Sequence, residues 1–404
     1  MTINWPVKAL GDVCHVIGGG TPPKDKDHYF RGTIPWATVR DMRKDIIAET
    51  EFQITEEAVG ASSTNIIPAH NVVIATRVGL GKVCFVERDT AINQDLRGII
   101  PMRKNEISVH YLFWWLKSIA HLIVQEGTGA TVQGVKLPFI KSLEIPLPPL
   151  PEQKRIVAIL DEAFAGIAAA TANAEKNLAD ARELFEGYLD AVFSRPGVGW
   201  TEEQLDQLGQ LQTGTTPKTS EAGNSGRHIP FIKPGDFHKD GSINYENEGL
   251  SAAGLNSSRL IKKGSALMVC IGATIGKAGY TDMDISANQQ INAITPRNGV
   301  VGRFLYYQMI SERFQKEVVA NAGQTTLPII NKSKWGKLSI YLPPNSADQV
   351  SIVSKLDELS LRTFQLERVY QLKLHKLAEL KQAILQKAFS GELTGIKTRH
   401  CEAA

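Results

Sequence analysis

Cysteine is scarce in this chain, with Cys14, Cys84, Cys270 and Cys401 scattered over 404 residues and no C-x-x-C pair among them. That excludes a disulfide framework and a thiolate zinc site, and a reducing cytoplasm suits such a chain best. The nine histidines are dispersed as well, none at ligand spacing, so no metal site is expected. No run of 18 apolar residues occurs, so no membrane partner is expected. The most apolar stretch, His110 to Val124, is short, contains Lys117 and reads as a buried helix. The amino-terminal residues lack the charged-then-apolar pattern of a signal peptide. An excess of one charge is missing too: 45 Lys and Arg face 42 Asp and Glu, so a polyanionic partner would have to be met by local clusters.

Catalytic signatures are also missing. The sequence contains no G-x-S-x-G, no H-E-x-x-H and no N/D-P-P-Y/F motif of the kind an amino-methyltransferase needs. GLGKV (Gly79 to Val83) and GATIGKA (Gly272 to Ala278) resemble phosphate loops, but the first glycine is misplaced. Val83 and Ala278 also stand where a magnesium-binding hydroxyl is required. No catalytic residue is expected, and the chain is read as a non-enzyme.

What is present is a repeat. IPLPPLPEQKRIVAILDEAF (Ile145 to Phe164) and IYLPPNSADQVSIVSKLDEL (Ile340 to Leu359) are each a proline-rich lead-in to a long helical segment. Pro148-Pro149 and Pro343-Pro344 lie 195 positions apart, and the spacing is 196 from Gln153 and Gln349 onward. No gap falls inside either segment. Proline before a helix cannot extend it backwards, while Pro196-Gly197 and Gly391 are stop signals. A 3-4 apolar spacing predicts one helix-packing seam through Ile156, Leu160, Ile167, Leu178 and Tyr188. The matching seam runs through Ile352, Leu356, Leu366, Leu377 and Ile384.

The blocks ahead of the helices repeat at the same offset. Gly19-x-Thr21-Pro22 answers to Gly214-x-Thr216-Pro217, Ile34-Pro35-Trp36 to Ile229-Pro230-Phe231, Asn93-Gln94 to Asn288-Gln289, and Tyr111 to Tyr306. Asn71 to Gly79, Val83 to Glu87 and Gly264 to Gly272 read as buried strands, and His110 to Gln125 and Gly302 to Val319 as helices. Each block is therefore α+β with a strand-rich core. Polar and basic residues recur at its turns: Thr21, Lys24, Lys26, Arg40, Arg43 and Arg97 in the first, Thr216, Lys218, Lys233 and Lys239 in the second. Arg and Lys suit guanine edges or phosphates, and Asn and Gln suit adenine. These ten are the DNA-binding candidates. Asn93, Gln94, Asn288 and Gln289 serve either as base contacts or as buried polar supports, and both readings stand.

Together the lead-ins LPPLPEQ and LPPNSADQ, the helix starts IVAILDE and IVSKLDE, the ending LQKAFSGEL and the block openings GGGTPPK and TGTTPK resemble the specificity subunit of type I restriction-modification systems over essentially the whole chain. The resemblance implies a tandem duplication of two target-recognition domains, each followed by a long helix, the helices pairing as an antiparallel coiled coil. The expected boundaries are 1–147 and 198–342 for the domains, 148–197 and 343–393 for the spacer helices, and 394–404 for a tail. It further implies recognition of a bipartite asymmetric site in double-stranded DNA, two methyltransferase subunits docked on the helices, and restriction subunits in the full complex. This chain would hold no cofactor, while the partners would use S-adenosylmethionine, ATP and magnesium. The rival is a coiled-coil adaptor whose heads bind proteins and not DNA; a third reading, an enzyme with duplicated catalytic domains, lacks any repeated catalytic constellation.

Overall fold

The sequence repeat appears as a repeated fold in the computed structural model, which describes residues 5–127, 134–218, 223–238, 240–323 and 327–394. The chain divides into two units, Met1–Asn173 with Leu374–Ala404, and Ala174–Lys373. The long helices are Leu150–Ser194 and Ser346–Ser390, of 45 residues each. At about 1.5 Å per residue, such a helix rises about 68 Å. Unit 1 holds the first block, the beginning of the first long helix and the end of the second; unit 2 holds the second block and the complementary helix parts. In each unit the two helix segments come from opposite helix ends, an antiparallel arrangement.

The first block carries a five-stranded sheet in the order Cys14–Gly18, Leu96–Pro101, Val72–Ala75, Val83–Val86, Ile46–Ile47. A four-stranded sheet follows the order Phe52–Ile54, Ile34–Ala37, Thr90–Ile92, Asn65–Ile67. The second block has a four-stranded sheet, Gly209–Thr213, Ile291–Pro296, Ala266–Val269, Ala278–Tyr280, and a three-stranded one, Gly249–Leu250, Ser225–Ile232, Ser286–Ala287. The strands are shorter than the apolar runs that announced them. The two phosphate-loop look-alikes prove to be hairpin turns, with Gly79, Gly81, Gly272 and Gly276 all at positive φ. Both block helices expected from the sequence are interrupted. Val109–Ser118 gives way to Ala120–Glu126, and Gly302–Ile310 to Glu312–Asn321, the latter started by the Ser311 side chain accepting from the Phe314 N–H.

The motif residues of the lead-ins and helix starts tie each block to its helix. Gln153 is fully buried; its Oε1 accepts from Ser108 N–H at 2.9 Å while its Nε2 donates to the carbonyls of Glu106 and Pro148, both at 2.9 Å. Gln349 repeats this with Val301 N–H at 2.8 Å and the Gly299 carbonyl at 3.1 Å. Eight residues on, Asp161 accepts from Trp114 Nε1 at 2.8 Å, and Asp357 accepts from Arg303 Nε at 2.7 Å and the Tyr307 hydroxyl at 2.5 Å.

In unit 1, Ile156, Leu160 and Phe164 join Leu385 and Ala388 in one core with the block helix; in unit 2, Leu189 and Phe193 join Val353 and Leu356. Ile167, Leu178, Ile352, Leu377 and Ile384 are partly buried. Two expected seam residues are not on it: Tyr188 is 38% and Leu366 42% exposed. Past Ala181 the buried face steps by four, through Phe185, Leu189 and Phe193, because Phe193 packs edge-on against Phe304 of the block, centroids 5.5 Å apart. Beside Leu366 the seam is polar: Thr363 is buried, and Glu367 pairs with Arg182 at 2.8 Å. By length and hydropathy the first long helix could cross a bilayer. Alanine supplies much of that apolarity, and Ile156, Leu160 and Phe164 are buried in the unit 1 core.

Candidate nucleic-acid interface

In both blocks two parallel strands end side by side. Trp36 pairs with Ala91 and Ala37 with Ile92, while Phe231 pairs with Ser286 and Ile232 with Ala287. The segments that follow, 38–43 beside 93–97 and 233–236 beside 288–290, therefore leave from one edge. A third strand runs antiparallel and delivers the glycine turn there too: Gly18 lies opposite Arg97, and Thr213 opposite Asn292. The approach is so close that a Cβ on Gly19 would fall 2.1 Å from the Asn93 carbonyl oxygen, and one on Gly214 2.1 Å from that of Asn288.

The asparagines hold this edge. Asn93 accepts from Asp95 N–H at 3.1 Å and donates to the Asp95 carboxylate at 3.0 Å; Asn288 does the same with Gln290, at 3.1 and 3.0 Å. Both are buried, so their polar atoms support the turn. Gln94 and Gln289 are exposed, and each amide oxygen accepts from the hydroxyl of Thr21 or Thr216. Their amide N–H groups have no partner among the described residues.

Around this frame the two edges differ. In unit 1, Arg97 donates to the carbonyls of Gln94 at 3.0 Å and Leu96 at 2.8 Å, and Arg77 lies 3.7 Å from Asp95. Burial, and then the charge of Arg77, hold the Arg97 guanidinium below its ordinary pKa, so an anion brought to this edge would relieve a like-charge repulsion. Arg40 and Arg43 occupy the adjoining capped turn, Arg43 Nε donating to the Arg40 carbonyl at 3.1 Å. Lys24 and Lys26 are exposed further along the loop, Lys26 over the Tyr29 ring at 4.9 Å. In unit 2, Lys233 pairs with Glu248, and Arg259 donates to the Thr213 carbonyl at 2.8 Å. Lys218 is exposed, its carbonyl accepting from Asn224 at 3.1 Å; Lys239 lies outside the described residues.

The structure thus brings together Thr21, Gln94 and Arg97, and separately Thr216 and Gln289. It leaves Lys24 and Lys26 further along the loop that carries Thr21. Sequence reasoning missed Arg77 and Arg259. Arg77 carried a signal, since it stands at the end of a strand run that also supplies the core. Forked guanidinium and amide groups at one edge can read acceptors on bases or hold phosphates. Cys14 and Cys270 are buried with thiol pKa values pushed up to about 12, chiefly by burial. Among the described residues no group of three or more His, Cys, Asp and Glu could hold a metal.

Two equivalent frames with differently decorated edges define a duplicated recognition protein. The chain belongs to the family of the type I restriction modification DNA specificity domain, which matches residues 2–177 and 197–375. It is 33% identical over 201 residues to the EcoR124I/EcoR124II specificity subunit of Escherichia coli, a match covering 48% of this chain and 49% of that one, so about half of that relative's length. It is 24% identical over 415 residues to the MjaIX specificity subunit of Methanocaldococcus jannaschii, covering 96% and 94%. The fold matches a chain from a type I restriction-modification system solved for its complex assembly and conformational transition, with TM-score 0.77, 21% identity and coverage of 97% and 99%. It also matches the specificity subunit of Thermoanaerobacter tengcongensis, with TM-score 0.60, 20% identity and coverage of 97% and 98%. Specificity subunits are the non-catalytic members of such systems.

Proposed function

We propose that this chain is the address-bearing subunit of a cytoplasmic type I restriction-modification complex. Each unit reads one half of a bipartite, asymmetric site in double-stranded DNA, and the long helices set the spacing and dock two methyltransferase subunits. The partners supply the chemistry, methylating adenine with S-adenosylmethionine and, where restriction subunits join, translocating and cutting DNA with ATP and magnesium. The expected domain limits, 1–147 and 198–342, enter this reading as the exchangeable parts. The observation that carries it is the repeated edge: one frame of Gly, Thr, Asn and Gln in both units, bearing Arg77 and Arg97 in the first and Ile271 and Asn292 at the corresponding ladder positions of the second. A shared frame with different readers is what two unlike half-sites require.

The test is a methylation map of genomic DNA from cells with the gene intact, deleted, or carrying residues 1–144 exchanged for the block of a relative. Deletion is expected to remove one bipartite adenine-methylated motif, and the exchange to change one half of it. An unchanged map on deletion, or changes in both halves on exchange, contradicts the reading. An adaptor without a DNA role would also lack the steep fall of DNA affinity with salt that counterion release produces.

A further inference from the structure

Unit 2 contains a cleft of about 280 Å³ between its block and the second long helix. Its walls include the rings of Tyr245, Tyr280, Tyr306 and Phe364 and the carboxylates of Asp240 and Asp282. Arg303 also lines it, but its charge is taken by Asp357 at 2.7 Å while its guanidinium lies 5.6 Å from the centre of the Tyr280 ring. Asp240 accepts from Ser242 N–H and Oγ, and Asp282 from the Tyr245 hydroxyl at 2.9 Å. Each therefore keeps one carboxylate oxygen without a partner, and neither is paired with a cation, among the described residues. Three carboxylates face one guanidinium, against aromatic faces that attract cations.

Unit 1 answers the same position differently. Phe164, the counterpart of Ser360 in the cleft wall, fills the space there by packing on Trp114 at 4.6 Å between centroids. Asp45, the counterpart of Asp240, is paired with Lys117 at 2.5 Å, whose ammonium lies 5.2 Å from the Phe113 ring centre. Lys117 belongs to the last turn of Val109–Ser118, whereas the unit 2 helix ends at Ile310, the counterpart of Trp115. Among the described residues, unit 2 thus has neither a cation paired with Asp240 nor an aromatic ring at position 360, its internal Arg303 being committed to Asp357. Leu361 and Phe364 of the second long helix line the cleft and are 58% and 43% exposed, and Val369 and Leu372, further along the same helix, are 59% and 58% exposed.

We propose that this cleft is a socket for one arginine or lysine side chain of the methyltransferase subunit that docks on the second long helix, with the exposed apolar residues as the surrounding footing. It rests on the proposed docking of methyltransferase on the helices and makes that docking unequal: one copy is keyed by the socket, the other is not. The test uses full-length chain co-expressed with its cognate methyltransferase subunit. Ser360→Phe transfers the unit 1 plug into the socket, and Asp240→Asn with Asp282→Asn removes its charge. Native mass spectrometry and titration are expected to show one of two methyltransferase copies weakened by about tenfold or more, the other unchanged, and thermal unfolding of the chain preserved. If two copies still bind with unaltered affinity and salt dependence to both variants, the socket is refuted and the docking reading stands. If the unaltered chain binds no methyltransferase, both fall. If spermidine raises the melting temperature of the unaltered chain but not of Ser360→Phe, while methyltransferase binding is unaffected by the substitution, the socket serves a free polyamine and the proposal is overturned.

Discussion

Replacing Gln153 by alanine tests how a block is fixed to its helix. The side chain satisfies three buried backbone groups, the Ser108 N–H and the Glu106 and Pro148 carbonyls. Truncation leaves them facing a gap lined by core residues. An unsatisfied buried group costs about 1–3 kcal/mol, less where water enters, so the total is about 3–5 kcal/mol. Gln349 satisfies two such groups, Val301 N–H and the Gly299 carbonyl, and its truncation is expected to cost about 2–3 kcal/mol. A two-unit chain need not unfold in one step, so the assay is hydrogen exchange resolved by segment. Protection at Ser108 should fall by about a hundredfold to a few thousandfold in Gln153→Ala, since each 1.4 kcal/mol is a factor of ten. The fall at Val301 in Gln349→Ala should be smaller, and each substitution should leave the other unit's site unchanged. A drop at Ser108 below about fivefold, or the reverse order of the two variants, would refute the reasoning.

Leu189→Ala should destabilise unit 2 by about 2–4 kcal/mol and Tyr188→Ala by less than about 1 kcal/mol, both read by denaturant unfolding; comparable losses would restore Tyr188 to the seam. Gly214→Ala puts a Cβ 2.1 Å from the Asn288 carbonyl oxygen and should cost about 3 kcal/mol or more, with loss of exchange protection in unit 2 and none in unit 1. Arg97→Ala should weaken DNA binding, lower the salt slope by about one and relax a single half-site; an unchanged slope would remove Arg97 from the interface. Four residues inserted in each long helix add about 6 Å, close to two base steps of about 3.4 Å, so the unspecified spacer in the methylated motif should lengthen accordingly; an unchanged spacer with retained methylation would contradict the proposal that the helices set the spacing.

The helices were legible because period and proline are local signals: the lead-ins place the starts, and Ile156, Leu160 and Leu356 fall where a 3-4 spacing puts them. Tyr188 and Leu366 were misread for the same reason. An apolar scan follows the heptad, whereas the actual face follows what packs against it, Phe304 for Phe193 and the Arg182–Glu367 pair beside Thr363. In the blocks, repetition picked out Gly19, Thr21 and Asn93, but not why they belong together. Their meeting depends on the parallel pairing of Ile34–Ala37 with Thr90–Ile92, a contact across more than fifty residues. Arg77 reaches the edge through the same kind of distant pairing, Ala75 opposite Leu96, which no local pattern encodes.

Set side by side, the two units separate what the fold needs from what a reader needs. Gly19, Asn93, Gln153 and Asp161 recur as Gly214, Asn288, Gln349 and Asp357 because a close backbone approach, a turn, a buried cap and a buried acceptor each admit few side chains. Arg77, Arg97 and Phe164 become Ile271, Asn292 and Ser360, so the shared frame does not dictate the side chain at these positions. Asn292 is itself turned inward, donating to Cys270 Sγ at 3.1 Å, so the second edge lacks the arginine pair altogether. On the proposed function, unit 1 therefore holds its half-site with more charge than unit 2. Identical edges would accept a two-fold symmetric site in either orientation. With the arginine pair on one unit only, reversing the DNA would set Arg77 and Arg97 against the wrong half, and a single orientation is favoured.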